Sequence, residues 1–139
     1  MREILFRGKR KDNDEWVYGY YSPCIWYPSK KQTPSIKELP YGNDVEIISE
    51  TVCQYTGLTD RNHKQVFEGD IVKCHYEDYY NARDFIKIVG YIEGTFGLED
   101  NEKRGFLAFI NRSAYVRYFE VIGNIYDNPE LLKEARYGN

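Results

Sequence analysis

Hydrophobic and polar positions alternate in short runs along most of this chain, and the runs are separated by turn-forming residues. Glu3 to Arg7 reads as a first strand and Glu15 to Tyr21 as a second. The polar stretch between them carries Asp12-Asn13-Asp14 turn chemistry, so the pair predicts a hairpin. Pro23, Pro28, Pro34 and Pro40 then punctuate a segment that includes Ser29, Lys30, Lys31, Gln32 and Ser35. That spacing predicts a loop or mobile arm, because proline is kept out of central strands. Further strand signals follow at Val45 to Ile48, Thr51 to Thr56, Ile71 to Tyr76, Phe85 to Ile92, Phe96 to Leu98, Phe106 to Ile110 and Tyr115 to Ile122. Gly69 stands where a tight turn calls for a positive φ. Glu77 to Asp84 reads as a polar, tyrosine-bearing excursion between two strands. The clear helix signal comes last. Asn128 suits an N-cap, Pro129 the first helical position and Glu130 the positive end of the helix dipole, and the pattern continues through Arg136 to Gly138. Many short strands with frequent turns predict a small barrel, closed or nearly closed over residues 47 to 125, rather than an open sheet.

Composition sharpens this picture in one respect. Aromatic residues make up 17% of the chain and 14 of them are tyrosine, which favours strands, since aromatic side chains fit a pleated surface. At 139 residues the chain is long enough to bury a core without disulfides or metal. Cys24, Cys53 and Cys74 are odd in number and widely spaced, which predicts free thiols in a reducing, cytoplasmic setting. No apolar run approaches the roughly 20 residues that span a bilayer, so no membrane partner is expected. The net charge is −3, and it is unevenly placed: eight Lys/Arg against five Asp/Glu up to Pro40, eleven against seventeen from Tyr41 onward. Nucleic-acid affinity comes mostly from neutralised phosphates, and an acidic C-terminal portion is poorly suited to that.

Three blocks, taken together, resemble the YopX-like family of phage and prophage proteins. The first is Phe6-Arg7-Gly8-Lys9 with Trp16-Val17-Tyr18-Gly19-Tyr20. The second runs from Thr51-Val52-Cys53-Gln54-Tyr55-Thr56-Gly57-Leu58 through Asp60 and Asn62 to Phe67-Glu68-Gly69-Asp70-Ile71-Val72. The third is Glu120-Val121-Ile122-Gly123-Asn124-Ile125-Tyr126-Asp127-Asn128-Pro129-Glu130-Leu131-Leu132. The resemblance implies a mainly-β protein: an SH3-like small β-barrel in the C-terminal part, an N-terminal β-hairpin extension and a short C-terminal helix. The expected division is residues 1–44, an N-terminal β extension with its proline-rich loop, and 45–139, the barrel with its helix. The resemblance also implies a phage or prophage origin and a bacterial cytoplasm, and it implies no reaction. Where the family usually has Gly after the Asp-x-Asn turn, this chain has His63, which is expected to be a left-handed turn residue rather than a ligand.

Candidate chemistry is thin. Cys53, His63, Cys74 and His75 lack the close Cys-x-x-Cys or His-x-His pairs of a zinc site, and Cys74 and His75, being adjacent, point to opposite faces of a strand. No nucleophile elbow or phosphate-binding glycine loop is present. Asp60, Glu68, Asp70, Glu77 and Asp78 are dense enough for a metal-assisted hydrolase. The first three fall at turns, where carboxylates cap backbone N–H groups instead, and the last two begin the polar excursion. The expectation is therefore a protein without catalytic, metal or cofactor residues. It would be a phage-derived accessory protein acting as a protein-interaction or self-assembling module. Its contact residues would be Tyr79, Tyr80 and Arg83 in the polar excursion, with Trp16 and Trp26 as further ring surface. Its partner would be a host or phage protein or a second copy of the chain. The alternative is a nucleic-acid-binding barrel gripping phosphate through Lys9, Arg10 and Lys11.

Overall fold

A computed structural model describes residues 3–22, 24–26, 31–40, 42–92, 94–99, 107–108 and 116–133. The protein is mainly β, and the chain divides into two compact units, Met1–Gly57 and Leu58–Asn139.

The N-terminal unit is built on an antiparallel sheet of order β6-β5-β2-β1-β7. Its strands are β1 (Phe6–Lys9), β2 (Trp16–Tyr21), β5 (Ser35–Glu38), β6 (Asp44–Glu46) and β7 (Cys53–Thr59). β1 and β2 form the expected hairpin, with Phe6 opposite Gly19 and Lys9 opposite Trp16. Period-two alternation sends Val17 into a core with Ile36 and Ile47, flanked by Phe6, Val45 and Val52. Gly19 faces that core because nothing larger fits: a Cβ there would stand 1.9 Å from the Lys37 carbonyl oxygen. A Ser49–Thr51 turn ties the sheet's ends, the Thr51 hydroxyl accepting from the Lys9 N–H at 2.8 Å and donating to the Ile48 carbonyl at 2.6 Å. Residues 45–57 thus pack with the N-terminal strands: Val45 pairs with Ile36, and Ile47 is fully buried among them.

The proline-punctuated segment is not one loop. β3 (Cys24–Trp26) pairs with β4 (Lys31–Thr33) in a small hairpin, and β5 follows at once. Pro34 falls between β4 and β5 and Pro40 after β5, where a missing N–H costs no ladder bond; Pro23 and Pro28 lie outside the described residues.

The C-terminal unit carries a five-stranded antiparallel sheet of order β12-β11-β10-β9-β13. Its strands are β9 (Asp70–Glu77), β10 (Ala82–Ile92), β11 (Thr95–Glu99), β12 (Leu107–Ala108) and β13 (Val116–Asn124). β8 (Gln65–Phe67) brings in the buried Val66 and Phe67 and leads into β9 through the turn at Gly69. One face of the five-stranded sheet supplies the core: Val72, Cys74, Val89, Leu98 and Phe119 with Val66, and with Leu58, Phe96 and Val121 against them. Gly69 makes the β8–β9 turn at φ 80°, and the Asp70 carboxylate accepts the Phe67 N–H at 2.8 Å. Residues 130–133 are helical after Asn128 and Pro129, and the expected continuation to Arg136 lies outside the described residues. The Asn128 side chain turns back to accept the Asn124 N–H at 3.2 Å.

The expected closed barrel over residues 47 to 125 is not what forms. Among the described residues the strands make two antiparallel sheets plus the β3–β4 hairpin, and no pairing joins β12 to β13. Part of the reason lies on the outer edge of β13. There the Phe119 carbonyl accepts the Arg61 N–H at 3.0 Å and the Val121 N–H donates to Asp60 at 2.9 Å. Groups that a closing strand would use are already satisfied by the turn at residues 60–64.

Candidate interaction surface

The segment from Glu77 to Asp84, expected as a polar excursion, is the end of a regular hairpin. β9 and β10 stay in register to Glu77 opposite Ala82, leaving residues 78–81 as a tight turn. Asp78 locks it. One carboxylate oxygen accepts the N–H groups of Tyr80 at 2.8 Å and Asn81 at 2.7 Å, and the other accepts the Tyr76 hydroxyl at 2.9 Å. The Asp78 N–H donates to the Asn81 carbonyl at 2.8 Å. The two N–H donors, with the phenol, hold the Asp78 carboxyl below the usual carboxylate range. Tyr79 and Tyr80 ride on this fixed turn, 93% and 85% exposed, their rings edge to face with centroids 5.0 Å apart. A large ring held in water by a rigid turn buries nothing within its own chain, so packing does not account for it.

Arg83 lies beside the turn on β10. Its guanidinium sits 4.5 Å from the Phe85 ring centroid and 5.8 Å from that of Tyr76, and Tyr76 and Phe85 meet edge to face at 6.0 Å. The opposite face of the hairpin is polar. His75 Nδ1 lies 2.7 Å from Asp84, and the imidazole stacks on Tyr118 at 4.8 Å. The Arg61 guanidinium covers Tyr118 at 3.8 Å. The hydrogen bond from His75, helped by Lys73, keeps the Asp84 carboxyl below its ordinary value. The opposite directions expected of Cys74 and His75 are found: Cys74 is buried in the core, and His75 pairs outside it.

The other expected contact residues are elsewhere. Trp16 belongs to the N-terminal unit, where the Arg7 guanidinium lies 4.5 Å and the Lys9 ammonium 5.4 Å from its ring. The side chain of Trp26 lies outside the described residues. The basic run Lys9, Arg10, Lys11 is largely neutralised: Arg10 forms a two-point pair with Asp12 at 3.0 Å and Lys11 pairs with Glu46 at 3.2 Å. The open cleft beside them, of about 570 Å³, is lined by Arg10 and Lys11 but also by Asp12, Glu38, Asp44 and Glu46.

Of the dense carboxylates, Asp60, Asp70 and Asp78 serve the backbone, while Glu77 lies 3.6 Å from His75 Nε2. Burial alone would raise the Asp60 pKa, yet the N–H groups of Val121, Lys64 and Asn62 hold the carboxyl below its usual range. His63 sits at φ 63°, a left-handed turn residue as its place in the sequence implies. Burial pushes the Cys74 thiol up to about 12, and neither Cys53, whose thiol donates to the Thr51 carbonyl at 3.3 Å, nor Cys74 is in a disulfide; the side chain of Cys24 lies outside the described residues. Among the described residues no group of three or more His, Cys, Asp or Glu side chains is placed to hold a metal ion, and no helix is long and apolar enough to cross a membrane.

Fold and surface together define a mainly-β protein in which, among the described large hydrophobic side chains, the two tyrosines of a locked turn are the most exposed. The chain belongs to the YopX protein family, whose match spans residues 5–133. Among solved structures it is similar to the crystal structure of protein EF1440 from Enterococcus faecalis, at 26% identity and a TM-score of 0.56, over 95% of this chain and 99% of that one. A comparison with curated proteins finds no match.

Sequence reasoning picked out Tyr79, Tyr80 and Arg83 but missed Asp78 as the lock and Tyr76, Phe85 and Lys87 as the neighbouring face. The signal was available: Asp78 and Asn81 bracket the two tyrosines as turn residues, and Tyr76, Arg83, Phe85 and Lys87 fall on one face by strand alternation.

Proposed function

We propose that this chain is a non-catalytic binding module that engages a protein partner through the Tyr79–Tyr80 turn. The observation that carries this reading is the near-complete exposure of two tyrosines on a turn whose backbone is fixed by Asp78. Pre-ordered rings lose little entropy when they are buried by a partner, and tyrosine and arginine are favoured where binding energy concentrates. The absence of catalysis is supported by the use to which the chemistry-bearing groups are put: Asp60, Asp70 and Asp78 hold backbone N–H groups, and Cys74 is a buried, protonated thiol.

The pairing of Arg10 with Asp12 and Lys11 with Glu46 supports a protein partner over nucleic acid. A second copy of the chain is a protein partner of the same kind, and sedimentation at micromolar concentration distinguishes self-association from a foreign partner. The order of the C-terminal sheet, a four-strand meander with the fifth strand returning beside the first, supports grouping it with SH3-like small barrels. The setting we infer is a phage- or prophage-derived protein in a bacterial cytoplasm, on the family resemblance and the free thiols.

The test is retention of a partner. Tagged chain expressed in a bacterial host carries a protein through size-exclusion chromatography. Tyr79→Ala with Tyr80→Ala weakens that complex by at least about tenfold, without lowering the unfolding temperature. Equal retention by the double variant contradicts the reading.

A further inference from the structure

The face of the β9–β10 hairpin that forms the core at Val72, Cys74 and Val89 continues toward the turn as a different surface. Strand register places Tyr76 and Arg83 opposite one another on it, followed by Phe85 and Lys87. Both cations lie over the Phe85 ring, Arg83 at 4.5 Å and Lys87 at 5.8 Å from its centroid. Among the described residues neither forms an ion pair: Asp84 is engaged with His75 and Lys73 on the opposite face, and Asp78, which feels the charge of Arg83, directs its oxygens to the Tyr80 and Asn81 N–H groups and the Tyr76 hydroxyl. The hairpin end therefore carries two ring-backed cations against the one carboxylate of Asp78, a net positive face next to Tyr79 and Tyr80 on a protein whose net charge is −3.

We propose that the partner of the Tyr79–Tyr80 turn presents an acidic polypeptide segment that seats its carboxylates on Arg83 and Lys87. This rests on the reading of the turn as a protein contact and names the chemistry of what it meets. Two observations select an acidic peptide over a nucleic-acid strand. The Phe85 ring face is taken by the chain's own cations, so a ligand arriving here meets charge before it meets a stacking surface. Two cations also suffice for one or two carboxylates, whereas a strand brings a phosphate with every nucleotide to a protein that is otherwise net acidic. Guanidinium held flat against a ring keeps its outer edge free for a carboxylate fork.

The experiment is fluorescence anisotropy of the full chain with a labelled, glutamate-rich copolymer of glutamate and tyrosine. Binding that weakens with added salt is expected. Arg83→Ala with Lys87→Ala lowers the affinity by at least about tenfold, and Lys87→Arg, which keeps the charge and leaves the Arg83 fork in place, retains it. Lys73→Ala, which removes a cation from the other face of the same hairpin, leaves it unchanged. Loss of binding in Tyr79→Ala/Tyr80→Ala as well supports both readings. Dependence on the tyrosines but not on Arg83 and Lys87 overturns the acidic-segment inference and leaves the turn contact standing; the reverse dependence does the opposite. No binding of the copolymer overturns the inference. Tighter binding of a single-stranded thymidine oligonucleotide through Arg83 and Lys87 overturns it too, by giving the face to nucleic acid.

Discussion

Asp60 is the residue on which the most backbone depends. Its carboxylate gathers three N–H groups, from Asn62, Lys64 and Val121, and so joins a turn to a strand 61 residues away. Asp60→Ala leaves three partly buried N–H donors without this acceptor, and a loss of about 2 kcal/mol is expected in urea unfolding. The pH dependence has a definite sign. The folded pKa lies below the unfolded value of about 3.9, so the stabilisation is present above that pH and is lost as pH falls through the folded value. Wild type should therefore lose more stability than Asp60→Asn between about pH 5 and pH 2, as acid titrations followed by circular dichroism will show. His63, at φ 63°, pays the left-handed strain that glycine avoids. His63→Gly should raise stability by about 0.5–1 kcal/mol. Burial and the raised thiol pKa at Cys74 predict that Cys53 and Cys74 resist aromatic disulfide reagents at pH 8 and react only after denaturation. These roles were legible in the chain because each is local: an acid before a two-residue turn, a glycine between two acids, a histidine in a glycine's place. What Asp60 reaches on β13 was not legible, since that contact depends on a fold no short window contains.

Among the elements, the hairpins show why alternation alone is a partial guide. β1 and β2 follow from it directly. The β3–β4 hairpin does not, because strands of three residues between prolines carry too short a pattern to stand out from loop composition. The β9–β10 hairpin was hidden by its charge: Glu77, Asp78, Arg83 and Asp84 look like loop, yet they sit at the end of strands whose pairing runs on to Glu77 opposite Ala82. Gly19 belongs to this scale as well. Its lack of a side chain lets β5 approach β2, and Gly19→Ala should cost about 3 kcal/mol by pushing the Lys37 carbonyl out of the ladder. Thermal unfolding of that variant checks the claim; an unchanged transition would show that the strands separate more easily than their register implies.

For the whole molecule, the sequence's short strands were correctly mainly β, and the step from them to a closed barrel was the part that failed. Closure depends on which edges are left open, and the turn at residues 60–64 occupies part of the outer edge of β13 through groups spread along the chain. The same division of labour marks the surface: Asp70 and Asp78, which look dense enough for catalysis in sequence, hold turns, while Tyr79 and Tyr80 stand in solvent at the hairpin end. The contact assigned to that turn can be read directly by placing a photo-crosslinking phenylalanine analogue at position 79 in cells, with position 63, an exposed residue in a different turn, as the control. A discrete protein adduct from position 79 and none from position 63 is predicted. No adduct from position 79, or the same adducts from both positions, would contradict the assignment of the Tyr79–Tyr80 turn as the binding element.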